Sequence, residues 1–272
     1  MIAANEYLLG HADPELERLQ LQARCLEGLT RRLIKECGIE PGMRVLDLGS
    51  GAGDVAMLVA EAVGPSGRVL GVDPAPRAVD TARRRAVEAG LRHVEFVEGD
   101  DEQISNHGLF DAAIGRCVLI HQPDPAATVR RTAAAVRPGG IVAFMEPATH
   151  VSGHSTPEVP LMRAAGESLV RFIRVALPSH DIAGRIIPCF IDAGLPEPRV
   201  LWESIVPGSD ITHLRWFIST HTTFLPLMER FGTVDPAVGD PDTLFDRIVA
   251  AATAVRAQGV TPPYVSAWSV RN

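Results

Sequence analysis

An acid two residues ahead of three alternating glycines is the first arrangement in this chain that could do chemistry: Asp47-Leu48-Gly49-Ser50-Gly51-Ala52-Gly53, followed by Asp54. Alternating glycines let the backbone turn tightly, and they let a ligand approach the main chain without meeting a Cβ. A helix starting near Asp54 would aim its free N–H groups at whatever lies over the turn. Such a turn, at the carboxyl end of a central strand, is where open α/β sheets bind nucleotide-like ligands. The dinucleotide fingerprint G-x-G-x-x-G needs Gly or Ala at position 54, and Asp54 stands there instead.

Other residues with chemical capacity fall at the ends of later apolar runs. These are Asp73-Pro74, Gly99-Asp100-Asp101-Glu102, Arg116-Cys117 and His121. His150 and His154 stand four apart with Glu158 beyond, a spacing that on a helix could bind a metal. Ser152, Gly153 and Pro157 argue for a loop there, so no metal site is expected. No Gly-x-Ser-x-Gly elbow stands out for acyl transfer. Tyr7 and His11 lie in Glu6-Tyr7-Leu8-Leu9-Gly10-His11 and are open to two readings. They anchor the following helix, or they sit on a flap over an active site.

The elements that must position these residues alternate β–α, which implies a parallel sheet. Strands are expected at 44–48, 68–72, 93–97, 110–118 and 141–145, with helices at about 54–63, 76–89 and 125–136. Arg137-Pro138-Gly139-Gly140 reads as a tight turn into the fifth strand. Ahead of the sheet, Leu16, Leu19, Leu26, Leu29 and Leu33 recur at helical spacing, and Gly38 ends the run. After Pro147 the alternation breaks. Helices are expected at about 161–176, 181–193, 211–231 and 243–257, with strands at 199–206 and 264–270.

A length of 272 residues fits one large α/β domain with an insertion or a small cap. A net charge of −7 leaves no basic stripe for a nucleic acid. The densest basic cluster, Arg83-Arg84-Arg85, reads as a solvated helix face. Cys25, Cys37, Cys117 and Cys189 have no C-x-x-C spacing and read as free thiols of a reducing cytoplasm. Residues 1–6 lack the pattern of a secretion signal, and no apolar run is long enough to span a bilayer.

With those strand ends in place, Asp47-x-Gly49-x-Gly51-x-Gly53 resembles motif I of class I S-adenosylmethionine-dependent methyltransferases. The resemblance covers residues 42–147 and extends more loosely to the end of the chain. It implies a Rossmann-like α/β fold: a seven-stranded, mostly parallel sheet with an antiparallel last strand, helices on both faces and an α-helical cap. It implies S-adenosylmethionine as cofactor and S-adenosylhomocysteine as product. The methionine end of that ligand carries an ammonium and a sulfonium, which suits an acid at the turn. Asp47, Gly49, Ser50, Gly51 and Gly53 would then form the turn of the cofactor site. Asp73 would accept both ribose hydroxyls, since a carboxylate suits two donors. Pro74 would pack on the adenine. After Gly99, Asp100 would take the adenine amino group and Asp101 would offer its backbone N–H to the ring. Arg116 and Cys117 would lie under the methionine moiety. His121 is the titratable residue best placed near the transferred methyl, with cofactor contact preferred over general base. Tyr7 and His11 join it as catalytic candidates on the flap reading.

The implied layout is a helical arm or flap over 1–38, then a methyltransferase domain over 39–272 with helical cap insertions at about 148–180 and 208–258. The arm and the helix after Pro147 resemble small-molecule enzymes of bacterial specialised metabolism. The expected activity is in-line methyl transfer to a small organic acceptor. The alternative is a cofactor-binding protein of this fold that catalyses a non-methylating reaction such as a cyclisation, or no reaction. A dinucleotide oxidoreductase ranks third. The expected partner is a small molecule, with no nucleic acid and no membrane, and a homodimer is one assembly open to the chain.

Overall fold

Val45 and Leu46 have no solvent exposure and Leu48 has 4 %, so the strand β1 (Arg44–Leu48) is covered on both faces. Such strands read as continuous apolar runs and belong to parallel sheets. The structure is a computed structural model and describes residues 13–208 and 210–272. β1 lies in the middle of a seven-stranded sheet. It pairs in parallel with β2 (Arg68–Asp73) on one side and β4 (Phe110–Arg116) on the other. β3 (Val94–Glu98) pairs in parallel with β2, and β5 (Val136–Pro147) with β4. The full order is β3-β2-β1-β4-β5-β9-β7, with β7 Arg199–Glu203 and β9 Tyr264–Val270. The Gly139 N–H donates to the Arg271 carbonyl, and the Ala148 N–H to the Pro263 carbonyl. The two segments thus run in opposite directions, so the late strand β9 is antiparallel to β5. Strand order reverses between β1 and β4, which makes the carboxyl ends of these strands the switch point where doubly wound sheets bind ligands.

Helices α2 (Asp54–Val63), α3 (Pro76–Glu88), α4 (Pro125–Ala134) and α6 (Ile182–Asp192) belong to the unit that contains this sheet. That unit comprises residues 27–146, 182–202 and 265–272. In its core Phe144 meets Phe190 edge-on, with ring centroids 6.2 Å apart. A second unit takes 147–181, 203–264 and, of the described residues before these, 13–26. It contains α5 (Pro160–Ala176), α7 (Thr212–Arg230), α8 (Leu244–Ala254) and a two-stranded ribbon of β6 (Ser155–Thr156) with β8 (Gln258–Gly259). Val159, Met162, Ala165, Ile218, Val238, Leu244 and Ile248 form its core. The first helix, α1 (Asp13–Glu36), ends at a left-handed Gly38 with φ 83°. The Ile39 N–H there reaches back to the Ile34 carbonyl, the closing bond of a glycine C-cap.

Three details correct the sequence expectations. The fourth strand stops at Arg116 rather than at Val118, because Cys117 turns to φ 58°. Arg137–Gly140 is not a free turn but the first part of β5, held by Arg271 just past the end of β9. The Arg83-Arg84-Arg85 cluster is not merely solvated. The Arg83 guanidinium donates twice to the Phe96 carbonyl, and Arg85 pairs with Asp54 at 2.7 Å.

Gly115 lies on β4 where a Cβ would meet Phe144 Cε1 at 2.7 Å. Gly115→Ala should overpack the sheet and destabilise the protein by about 1–3 kcal/mol. Adding Phe144→Leu should recover part of that loss, as read by urea unfolding of the single and double variants.

Candidate functional site

The glycine turn after β1 is shaped by two strand ends at once. The Gly49 and Ser50 N–H groups both donate to the Val72 carbonyl, at 2.8 and 3.0 Å. Gly49 has φ 66°, and a Cβ there would strike Val118 Cγ2 at 2.6 Å. Gly53 has φ 87° at the start of α2, and its Cβ would meet Phe96 Cζ at 2.8 Å. At Gly51, with φ 51°, nothing lies within 4 Å of a would-be Cβ. The glycine is needed there for its conformation, and the space over it is open. Asp73 ties the turn to the end of β2. One carboxylate oxygen accepts the Gly51 N–H at 2.8 Å, and the other accepts the Ala75 N–H at 2.9 Å. The Gly99 N–H donates to the Asp73 carbonyl, which brings the end of β3 to the same place.

Beneath the turn, Asp47 is 1 % exposed, and neither of its carboxylate oxygens has a hydrogen-bond partner. The Ser50 hydroxyl is likewise buried and unpartnered. Burial pushes the Asp47 carboxyl up to about 8, against the opposing pull of the Arg116 guanidinium and, more weakly, of the Ala56 N–H, which does not close a hydrogen bond with it. Arg116 is itself anchored to the Thr30 hydroxyl at 2.9 Å. Most buried polar atoms in folded proteins are bonded. Three unpartnered oxygens under an open glycine turn therefore fit a ligand that brings its own donors and positive charge.

On the other side of β1 the site is built by Glu146, which the sequence analysis did not single out. Its buried carboxylate accepts the N–H groups of Val118 and Leu119 at 2.9 Å and of Ile120 at 3.2 Å. Burial pushes its carboxyl up to about 7, although the three N–H groups pull it down. This cage curls the chain into one 3₁₀ turn, Leu119–His121, closed by the His121 N–H on the Val118 carbonyl. The signal available in the sequence was an acid ending the apolar run Ile141–Met145.

A methyltransferase-domain family model matches residues 39–182. The chain belongs to that family. It is 36% identical over 118 residues to the aklanonic acid methyltransferase DauC of Streptomyces sp. strain C5, covering 43% of this chain and 54% of the relative. It is 40% identical over 119 residues to a ubiquinone biosynthesis O-methyltransferase of Methylocella silvestris, covering 43% and 44%. The chain thus spans about half the length of the curated relatives it matches. The structure resembles that of a SAM-dependent methyltransferase from Aquifex aeolicus, with TM-score 0.54 and 19% identity over 70% of this chain and 93% of that one. The chain is therefore a member of the class I methyltransferase family, whose cofactor is S-adenosylmethionine, a ligand that carries an electrophilic methyl group on a sulfonium and cations that suit the buried acid.

In this chain the strand ends bring together Asp47, Gly49, Ser50, Gly51, Gly53, Asp73 and Gly99. Pro74 follows Asp73 on the surface, and Asp100 is exposed, accepting the Glu102 N–H. The Asp101 side chain is held by Arg131 through two nitrogens on one oxygen. Arg116, Cys117 and His121 stand half-buried at and beyond the end of β4. Tyr7 and His11 lie outside the described residues. Glu158 pairs with Arg163. Among the described residues, no group of three His, Cys, Asp or Glu could hold a metal.

The folded protein holds the Asp47 proton more tightly than the unfolded chain, whose carboxyl stands at the ordinary 3.8. That contribution to stability is complete below about 4 and is lost as pH rises to about 8. Cofactor-free Asp47→Asn should therefore be more stable than the parent at pH 8. It should also lose much of the decline between pH 5 and pH 8, with Glu146 supplying what remains below about 7. Urea unfolding at the two pH values measures both effects, and an unchanged pH slope would contradict the assignment.

Proposed function

We propose that this methyltransferase moves the methyl group of S-adenosylmethionine to a small organic acceptor by in-line displacement. The observation that carries the proposal is the buried, unpartnered Asp47 carboxylate under an open glycine turn. Two relatives named for aklanonic acid and for ubiquinone biosynthesis support a small-molecule acceptor. The net charge of −7 supports it over a nucleic acid.

In this proposal Asp47 faces the cationic end of the cofactor. Asp73 keeps Gly51 and Ala75 in place, and its carboxylate takes the ribose hydroxyls. Pro74 covers the adenine, Asp100 takes its amino group, and the Asp101 N–H bonds the ring. Arg116 and Cys117 floor the methionine end. The leaving group is neutral and the methyl is already activated. The protein's part is therefore to align and desolvate two bound reactants. His121, on the turn that Glu146 holds, positions rather than deprotonates. The four free cysteines support a cytoplasmic setting. Among the described residues no helix is long and apolar enough to cross a membrane. A cyclisation on the same fold is the weaker reading, because the relatives are named for methylation.

Incubation with methyl-labelled cofactor and a panel of small acceptors should place label on a product, and an unlabelled rearranged product would favour the cyclisation. Asp73→Ala should weaken S-adenosylhomocysteine binding by roughly 1–3 kcal/mol, the scale for unpaired donors, as read by calorimetry. His121→Ala should lower turnover without abolishing it. A loss beyond the roughly 10²–10⁴-fold span of a general base, with cofactor affinity intact, would make His121 the base.

A further inference from the structure

An open sheet has two edges, and among the described residues those of the seven-stranded sheet are β3 and β7. An edge strand presents a row of backbone N–H and C=O groups that another chain can use as a template. The two edges differ in how they meet that hazard. β3 runs Val94-Glu95-Phe96-Val97-Glu98, with two acids and no cation. The Arg83 guanidinium already bonds the carbonyl of its middle residue, Phe96. Charge and a covering side chain are both ways of blunting an edge. β7 runs Arg199-Val200-Leu201-Trp202-Glu203. It has a cation at one end, an acid at the other and three apolar residues between them. It contains neither Pro nor Lys, residues that commonly blunt an edge. Trp202 is 52 % exposed.

Laid antiparallel against a copy of itself, β7 is self-complementary. With Leu201 opposite Leu201, Arg199 of each copy faces Glu203 of the other, and Val200 faces Trp202. Each of these pairs occurs twice, as a two-fold axis requires. Opposite charges, and an aromatic residue against a β-branched one, are the cross-strand pairs that stabilise an antiparallel ladder. A slip of two residues would set Arg199 opposite Leu201 or opposite Ile205, so the charges select one register. The Arg199 guanidinium lies over the Trp268 ring of β9, 5.2 Å from its centroid. A guanidinium stacked on a ring in this way is held on one face of the sheet and keeps its N–H edge for a carboxylate.

We propose that β7 pairs antiparallel with β7 of a second copy of this chain, about a two-fold axis at Leu201, and joins two sheets into one. The main-chain bonds supply association, and the Arg199–Glu203 pairs fix register and partner. This dimer is independent of the methyltransferase function proposed above.

Sedimentation equilibrium of the full chain should show a dimer at micromolar concentration. Arg199→Glu sets acid opposite acid at both ends of the paired strands, and Glu203→Arg sets cation opposite cation there. Each variant alone should dimerise about tenfold or more weakly than the parent, since both symmetric pairs turn from attraction to repulsion. An equimolar mixture of the two variants should recover the parent's association, because each copy then offers the charge that the other lacks. Trp202→Ser, a change at an exposed position, should weaken the dimer while circular dichroism shows the fold retained. A monomeric parent overturns the proposal. So do single charge variants that associate like the parent, a mixture no tighter than its components, or a Trp202→Ser protein that dimerises like the parent. Cofactor binding is read separately, by calorimetry with S-adenosylhomocysteine, so loss of the dimer leaves the methyltransferase function standing.

Discussion

A carboxylate at the end of β5 gathers three successive backbone N–H groups, and much of the site's shape follows from that one contact. Amides aimed at a single point must curl as they do in the first turn of a helix. The chain after β4 therefore cannot continue as a strand. Cys117 makes the change of direction in a left-handed conformation, which costs roughly 1–2 kcal/mol for a residue with a Cβ. The turn then brings Val118 so close to β1 that only glycine fits at position 49. With the Cβ absent at that position, the loop lies down on β2, where Val72 and Asp73 bind its N–H groups. The glycine pattern and the buried glutamate are thus two parts of one packing solution.

The half of that solution closest in sequence was legible, and the other half was not. The turn from Asp47 to Gly53, the acid at 73 and most element limits follow from local spacing, and β1, α2 and β9 match their expected bounds. Glu146 was missed because its partners lie 26 to 28 residues earlier, and nothing near it in sequence shows that it needs them. Arg83 and Arg85 misled for a related reason. A guanidinium bonded to a distant carbonyl has the same sequence signature as one in water, and only the fold brings Phe96 and Asp54 within reach. Residues 137–140 contain the Pro-Gly-Gly of a turn, yet a strand arriving from residue 271 supplies bonds that outweigh the local preference. Propensity yields to tertiary pairing there.

Asp47 and Glu146 make the physical difference between scaffold and site visible. Both are acids in or at the end of central strands, both are fully buried, and burial raises both. Glu146 has its oxygens bonded by the chain itself, so part of the cost of its burial is offset in place and its role is complete without a ligand. Asp47 has nothing, and its carboxyl is raised further, to about 8 against about 7. A chain selected for stability alone would carry an apolar residue at 47, because an unsatisfied buried acid costs more than the side chain it replaces. The cost persists because a ligand can repay it, with its own donors and positive charge, at the open turn above. Unsatisfied polarity is therefore more informative than burial or charge alone. It marks where the folded chain is incomplete, and in this protein it marks the cofactor turn.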